Sequence, residues 1–491
     1  MKWISWLSTL TIYSVALKNN DATNPNIIIY LADDLGPGEV NQQNLKYSFM
    51  VDGITPNPQR IIRTPNIEQL ASQSMRFENV LGASVCAPSR YILNTGQIVS
   101  RAAVRGNSDA TRIKSLPAMT LPKAMQHLGY KTILVGKYGF GIPNTNTSTK
   151  NMGYDHFFGY GTHNEAHYPF PAFIWNNSEV IHFPQNIRAS KARCLRGRCA
   201  FAPNMFAEQA LSFIHQYANK QPFFLMWATI SDHLGAWNSK DSKWTSPVPS
   251  YYPYGKSGWV DDRKGHAAMI YNVDQDIKSL LATLQELQID ESTIVIFASD
   301  NGAENEYINF KPRYPAFFTA AGGYRGLKRD VYQGGIAVPL IVRWKNQIPA
   351  NTKSSYPWAF HDIGLTLLDL IAAPNSIKQT LAGTTNMAGA VSVAELWLKG
   401  DAAANKIKRS WLSTEYCEAG EGSCIYALFD VRVWNKSIPK LIFNGPQTGV
   451  QLFDLAVDPT ENNNLAPNKS YADLIAEMQV IRNEIRIPLT Y

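Results

Sequence analysis

The chain has 491 residues, 45% hydrophobic and 17% charged, a globular balance that excludes intrinsic disorder and can fill one large core plus a smaller attached unit. Its formal net charge of +7 favours anionic partners at long range, but no basic groove with stacking aromatics points to nucleic acid. Beyond Leu17 no segment approaches the roughly 18 unbroken apolar residues of a membrane span, so none is expected.

Met1-Lys2 precedes an apolar run from Trp3 to Leu17, and Ser14-Val15-Ala16 puts small residues at the two cleavage-determining positions. Residues 1–16 read as a secretory signal peptide, the alternative being a buried N-terminal helix. Of the five cysteines, Cys194 and Cys199 lie close together, as do Cys417 and Cys424, and Cys86 is left over. The spacing suggests two small-loop disulfides and an oxidising compartment. Asn-x-Ser/Thr triplets at Asn146, Asn176, Asn435 and Asn468 agree with a secreted or lysosome-like destination. Arg188, Lys191, Arg193, Arg196 and Arg198 surround the first cysteine pair and read as a solvated loop or as a docking patch for a polyanion.

Residues 26 to 32 form a nearly continuous apolar run, as expected of a strand buried on both faces, and end in Asp33-Asp34-Leu35-Gly36. Three later runs repeat the design: Lys131 to Val135 ends in Gly136-Lys137, Pro222 to Ile230 in Asp232-His233, and Thr293 to Ser299 in Asp300-Asn301. Open α/β sheets bind their ligands at such carboxyl ends. Between the strands lie helical patterns. From Ala267 to Leu287, Ile270, Val273, Ile277, Leu280, Leu281, Leu284 and Leu287 mark one face, leaving Asp274, Lys278 and Glu286 for water. The fold expected is α/β, a large mostly parallel or mixed sheet sandwiched by helices.

Composition shifts near residue 375, and short β-like runs follow at Tyr426 to Val433, Lys440 to Phe443 and Val450 to Leu455, with a closing helical pattern at Leu474, Met478, Ile481 and Ile485. We therefore expect a catalytic domain over 24–400 and a smaller C-terminal antiparallel sheet with one helix over 401–491.

Asp33, Asp34, Asp300 and Asn301 offer hard oxygen ligands that select Ca²⁺ or Mg²⁺ over zinc; Asp-Asp-Leu-Gly alone is as readily a turn after a strand. Cys86 reads as a thiolate nucleophile, activated by a helix terminus and Arg90, or as a buried inert thiol. Lys137, His233 and Lys328 argue for a tetrahedral-anion site only by their joint placement.

Cys86-Ala-Pro-Ser-Arg90, continuing through Leu93-Asn-Thr-Gly96-Gln97, resembles the C-x-P-S-R-x-x-L-x-T-G motif of the type I sulfatases, in the alkaline phosphatase superfamily. The likeness extends to Asn26–Gly36, Gly129–Lys137, Ile230–His233, Ala298–Gly302, Gly326–Lys328 with Gly334–Pro339, and Leu452–Ala466. It implies that Cys86 is oxidised to formylglycine (3-oxoalanine) by a formylglycine-generating enzyme that reads the Pro/Arg context. It further implies that Asp33, Asp34, Cys86, Asp300 and Asn301 surround Ca²⁺, with Mg²⁺ the less favoured ion. Arg90 would hold the hydrated aldehyde, and Lys137, His233 and Lys328 would contact sulfate. The implied activity is sulfatase hydrolysis of aryl or carbohydrate sulfates; the alternatives are a phosphonate or phosphate ester hydrolase and an inactive binder of sulfated glycans. Oligomeric state is left open by these motifs.

Three positions depart from the family pattern. Gly139 replaces a histidine of Gly-Lys-Trp-His, Gln333 an acidic residue and Ala337 an arginine. Either His163 or His167 fills the space vacated at 139, or the hydrate is less well held and turnover lower.

Overall fold

The computed structural model describes residues 24–187, 194, 197–236, 245–304, 307–308, 311–312, 315–382, 389–418, 421–443 and 449–487. The expected signal peptide and Arg188, Lys191, Arg193 and Arg196 lie outside these residues.

In chain order the strands are β1 (Asn26–Ala32), β2 (Met75–Phe77), β3 (Val80–Leu81), β4 (Lys131–Lys137), β5 (His156–Tyr160), β6 (Phe173–Asn176), β7 (Glu179–His182), β8 (Phe223–Ala228) and β9 (Thr293–Ser299). There follow β10 (Tyr307–Ile308), β11 (Lys311–Pro312), β12 (Leu340–Arg343), β13 (Thr352–Ser354), β14 (Trp358–Ala359), β15 (Trp411–Tyr416), β16 (Ile425–Asp430), β17 (Pro439–Phe443) and β18 (Val450–Asp454). Ten of them build one sheet in the order β13-β2-β12-β9-β1-β8-β4-β5-β6-β7. Strands β9, β1, β8, β4 and β5 are mutually parallel, while β12 runs antiparallel to β9, so the sheet is mixed.

Register turns this topology into a site. Leu31 lies opposite both Ala228 and Ala298, and Gly136 opposite Ala228, so β1, β4, β8 and β9 finish nearly level. Gly136 is required there: at φ 109° an added Cβ would stand 1.8 Å from the Ala228 carbonyl oxygen.

Both sheet faces are covered, which explains the continuous apolar strands. Ile27, Ile29, Leu31, Phe224, Met226, Ile294 and Ile296 pack beneath the helices Cys86–Thr95, Leu121–His127 and Ile363–Leu370. Ile28, Tyr30, Leu225, Trp227, Val295 and Phe297 pack on the other face against the helices Ala202–Tyr217 and Asp261–Glu286. Each such side chain contributes about 1.5–3 kcal/mol on leaving water.

The long helix corrects one expectation. Asp274 is buried, not solvent-facing, because its carboxylate accepts the backbone N–H groups of Asn66 at 2.8 Å and Ile67 at 2.9 Å, satisfying the first turn of the helix Pro65–Ser72. Apolar periodicity identifies the buried face but misses a carboxylate recruited as another helix's cap.

Strands β15 to β18 form a separate antiparallel sheet in sequence order, with the helix Ala472–Ile485 on one face. Its other face joins Val331 and Ile336 in a common apolar cluster. Lys440 and Glu461, both fully buried, pair at 2.6 Å there; Lys440 also donates to Gln333 Oε1 at 3.1 Å, and Glu461 accepts the Gln333 N–H at 2.6 Å. Cys194–Cys199 and Cys417–Cys424 are disulfides, and Cys86 is a free buried thiol. Among the described residues no helix is long and apolar enough to cross a membrane.

Candidate functional site

The helix Cys86–Thr95 begins with Cys86 itself, and every residue in it is buried. Pro88 falls in the first turn, where a missing N–H breaks no helical bond, and Gly96 ends the helix in the left-handed region at φ 67°. The helix thereby aims Cys86 and Arg90 at the level ends of β1, β4 and β9.

Arg90 ties these ends together. Its guanidinium lies 2.7 Å from Asp300 Oδ2 and 3.2 Å from Asp33 Oδ1, and Nη1 donates to the Lys137 carbonyl at 3.1 Å. Lys137 Nζ bonds Asp33 at 2.8 Å and stands 3.4 Å from Cys86 Sγ. Lys328 Nζ bonds Asp34 Oδ2 at 2.6 Å and Glu304 Oε2 at 3.0 Å. His233 Nε2 is 3.6 Å from Asp34 Oδ2, while its Nδ1 lies 2.5 Å from the Leu234 carbonyl oxygen. All nine residues picked out in the sequence, Asp33, Asp34, Cys86, Arg90, Lys137, His233, Asp300, Asn301 and Lys328, are gathered here and buried.

Burial opposes ionisation of every group in this set. The cations nevertheless win at Asp33 and Asp34, whose carboxyls fall well below the usual range because Lys137 faces the first and Lys328 the second. At Asp300 burial and the neighbouring Asp33 carboxylate prevail, and its pKa rises to about 7. Burial likewise pushes the Cys86 thiol up to about 11. Desolvation of the thiol thus outweighs the pull of Lys137 and Lys328 and works against the thiolate reading.

The donor set suits a hard divalent cation. Asp33, Asp34 and Asp300 bring carboxylate oxygens within 4.8 Å of one another. Asn301 donates its amide N–H to Asp34 Oδ1 at 2.9 Å, yet its own Oδ1 is buried without a hydrogen-bond donor. A buried carbonyl oxygen beside three carboxylates is an incomplete arrangement that a cation completes.

Cys86 Sγ also lies 3.6 Å from Asn107 Oδ1 and from His163 Nδ1. The rings of His163 and His167, and of His167 and His233, each meet edge-on at 4.8 Å. Gly139 adopts φ 102°, a conformation that disfavours any side chain, and the space its Cβ would enter is open. The imidazole beside residue 86 thus comes from the loop after β5. These side chains open onto a cavity of about 180 Å³ lined by Asn107, His163, His167, His233, Glu304 and Lys328, with Leu234 and Arg329.

Sequence reasoning missed Asn107, Glu304 and Arg329. Asn107 carries no local signal, since a short 3-10 turn brings it to Cys86 from 21 positions away. Glu304 closes the run Asp300-Asn-Gly-Ala-Glu304, and Arg329 follows Lys328, so adjacency to motif residues was the available clue.

A mixed α/β sheet whose carboxyl edge gathers buried carboxylates, cations and the first residue of a helix places a polar site where open α/β folds bind their ligands. The family profile described as Sulfatase matches residues 25–373, and the chain belongs to that family. It is 27% identical over 375 residues to N-acetylgalactosamine-6-sulfatase of Canis lupus familiaris, a match spanning 70% of this chain and 62% of that protein. It is 25% identical over 531 residues to N-acetylgalactosamine-6-O-sulfatase of Bacteroides thetaiotaomicron, covering 95% and 94% of the two chains. Among solved structures, Ps i-CgsB in complex with k-i-k-neocarrahexaose superposes with a TM-score of 0.69 at 19% identity, over 96% of this chain and 95% of that one. BT4656 in complex with D-glucosamine-2-N,6-O-disulfate gives 0.64 at 17% identity, over 94% and 97%. At these identities the structural likeness speaks to the fold.

Proposed function

We propose that this protein hydrolyses sulfate monoesters carried on carbohydrates, with residue 86 converted from cysteine to formylglycine and Ca²⁺ held by Asp33, Asp34, residue 86, Asp300 and Asn301. The observation that carries this reading is the set of groups around Cys86: Lys137 and His163 at 3.4 and 3.6 Å from its sulfur, and Asp33 within 4.8 Å, itself clustered with Asp34 and Asp300. Family membership and relatives named as N-acetylgalactosamine-6-sulfatases support it.

Ca²⁺ held by these oxygens would supply positive charge for the sulfate oxygens. A hydrated formylglycine at residue 86 would supply an oxygen nucleophile and a second hydroxyl for release of sulfate. The remaining work falls to side chains. Arg90, tied to Asp33 and Asp300, fixes the position of residue 86. Lys137 and Lys328 hold sulfate oxygens, and His163 Nδ1 accepts the proton from the attacking hydroxyl. His233 commits Nδ1 to the Leu234 carbonyl, leaving Nε2 for the substrate. Lys328, charged between Asp34 and Glu304, offers its proton to the departing alcohol.

Cys86, Pro88 and Arg90 are all buried, so a modifying enzyme reading them acts before the chain folds, in a secretory compartment. The test is the mass of the residue-86 peptide from protein made through a secretory pathway, coupled to sulfate release from N-acetylgalactosamine-6-sulfate and rates on matched aryl sulfate and aryl phosphate esters. Formylglycine with sulfate release is expected. An unmodified cysteine, or a faster phosphate than sulfate reaction, overturns the proposal.

A further inference from the structure

Residues 452–466 take no part in the chemistry proposed above, yet they fold around a single inward-turned acid. Asp458 accepts the N–H groups of Asn462 at 3.1 Å and Asn463 at 2.8 Å, and Asn464 Oδ1 accepts those of Leu452 at 3.0 Å and Ala466 at 3.1 Å. Within this closed turn Asn462, Asn463 and Asn464 are exposed, while Glu461 is fully buried at φ 56°, a left-handed conformation rare for a residue with a side chain. Such a conformation persists where the surrounding contacts over-determine it.

Those contacts fall on both ends of the segment that carries Lys328. Glu461 Oε2 accepts the Gln333 N–H at 2.6 Å, and the Glu461 carbonyl accepts Arg325 Nη1 at 2.8 Å. Its other carboxylate oxygen pairs with Lys440 at 2.6 Å, and Lys440 donates onward to Gln333 Oε1 at 3.1 Å. Between these anchors the segment closes on itself: the Gly334 N–H donates to the Arg325 carbonyl at 2.7 Å, and Asp330 Oδ2 accepts the Leu327 N–H at 3.0 Å. The segment also rests directly on the chain just after β9. The Lys328 N–H donates to the Ala303 carbonyl at 2.9 Å and the Gly302 N–H to the Gly335 carbonyl at 3.0 Å, while a Cβ on Gly302 would stand 1.9 Å from the Gly334 carbonyl oxygen. Glu461 thus grips the backbone loop from which Lys328 reaches Asp34 Oδ2.

A lysine side chain is a flexible four-carbon stem, so where its ammonium stands depends on where its backbone is held. Misplacing a catalytic group by about 1 Å can cost about 10²-fold in rate. We propose that Glu461 is a positioning residue for Lys328, so that the C-terminal unit completes the catalytic site instead of only packing beside it. This rests on the sulfatase reading above, in which Lys328 gives its proton to the departing alcohol.

Removing one partner of a buried ion pair strands the other charge, so the test replaces both together. Lys440→Met with Glu461→Gln removes the charges and keeps an acceptor for the Gln333 N–H; Lys440→Met with Glu461→Met removes the acceptor as well. Each is compared with wild type and with Lys328→Met on N-acetylgalactosamine 6-sulfate, whose alcohol needs a proton to leave, and on a nitrophenyl sulfate, whose phenolate does not. The variant without the acceptor is expected to lose about tenfold or more in kcat on the sugar sulfate beyond its loss on the aryl ester, in the direction set by Lys328→Met and with KM little changed. The variant that keeps the acceptor should hold the wild-type ratio. An ion pair that only stabilises the fold would lower both rates alike by lowering the folded fraction, so equal losses on the two esters without the acceptor overturn the proposal.

Hydrogen exchange of the same proteins reads the loop without turnover. Faster exchange confined to residues 325–335 is expected in the variant without the acceptor. If no sulfate is released from either ester, or Lys328→Met spares the ratio, that selective loosening keeps Glu461 as the anchor of the loop and the fault lies with the hydrolytic reading. Exchange unchanged there, or raised throughout the chain, overturns the anchor.

Discussion

His163 Nδ1 lies 3.6 Å from Cys86 Sγ, although the two residues are 77 positions apart, one at the start of a helix and the other on the loop after β5. The contact exists because β4 and β5 are parallel neighbours, which brings the loop after Tyr160 over the end of Lys137. Position 139 offers no side chain, so this imidazole is the nearest nitrogen base to residue 86 among the described histidines. His163→Ala is expected to lower kcat by about 10²–10⁴-fold, the usual worth of a positioned general base, with a smaller change in KM. His167→Ala, whose ring meets those of His163 and His233 edge-on, should cost less. Steady-state release of sulfate from an aryl sulfate checks both; full activity in both variants would refute the substitution of His163 for the residue missing at 139.

Conversion of Cys86 should be complete before folding and impossible afterwards. The thiol is fully buried and Lys137 stands 3.4 Å from it, so a folded, unconverted chain presents nothing for an enzyme to grasp. Protein refolded with an intact cysteine is expected to stay unconverted when treated with a formylglycine-generating enzyme, whereas an unfolded peptide spanning 80–100 should be converted. Thiol reagents should leave the mature, converted enzyme unaffected. Strong inhibition by them at position 86, identified by peptide mass, would contradict this.

The strand ends were legible in the sequence because a strand buried on both faces reads as an unbroken apolar run, and its first polar residues mark where it stops. That is how Asp33, Lys137, His233 and Asp300 could be selected before any geometry was known. Asn107 could not, since a 3-10 turn leaves no periodic trace. Nor could Asp274, whose place on an amphipathic helix predicts water and whose burial depends on the start of another helix 200 residues away. The departures at Gln333 and Ala337 also needed the structure. Gln333 takes a side-chain contact from Lys440 and a backbone contact from Glu461, which ties its segment to the C-terminal unit; Ala337 has no such account in the structure.

Cation removal should cost stability as well as activity. Asp33, Asp34 and Asp300 are three buried carboxylates within 4.8 Å of one another, and the buried Asn301 Oδ1 has no hydrogen-bond donor. Dialysis against a chelator is expected to lower Tm, and added Ca²⁺ should restore it; at a hundredfold excess over Kd the recovery is worth about 2.7 kcal/mol. Asp300→Asn should weaken this Ca²⁺-dependent shift. A Tm indifferent to both chelator and Ca²⁺ would remove the metal from the scheme.

A pH effect on stability lies away from the site, on Asp276. Burial raises its pKa to about 8, and Tyr30 donates a hydrogen bond to its Oδ2 at 2.8 Å. In the unfolded chain the same group titrates near about 3.9. Between these values the native protein holds a proton that the unfolded chain has released, so stability contributed by the neutral carboxyl is full below about pH 4 and is lost as pH rises towards 8. Integrated over that window the loss is on the order of 4–6 kcal/mol. Asp276→Asn keeps an acceptor for Tyr30 and cannot ionise, so it should raise stability at pH 8 by several kcal/mol and change it little at pH 5. Denaturant melts of both proteins at the two pH values measure this. An equal shift at both pH values, or destabilisation at pH 8, would mean that Asp276 is ionised in the folded protein and that its pairing with Tyr30 is a charged one.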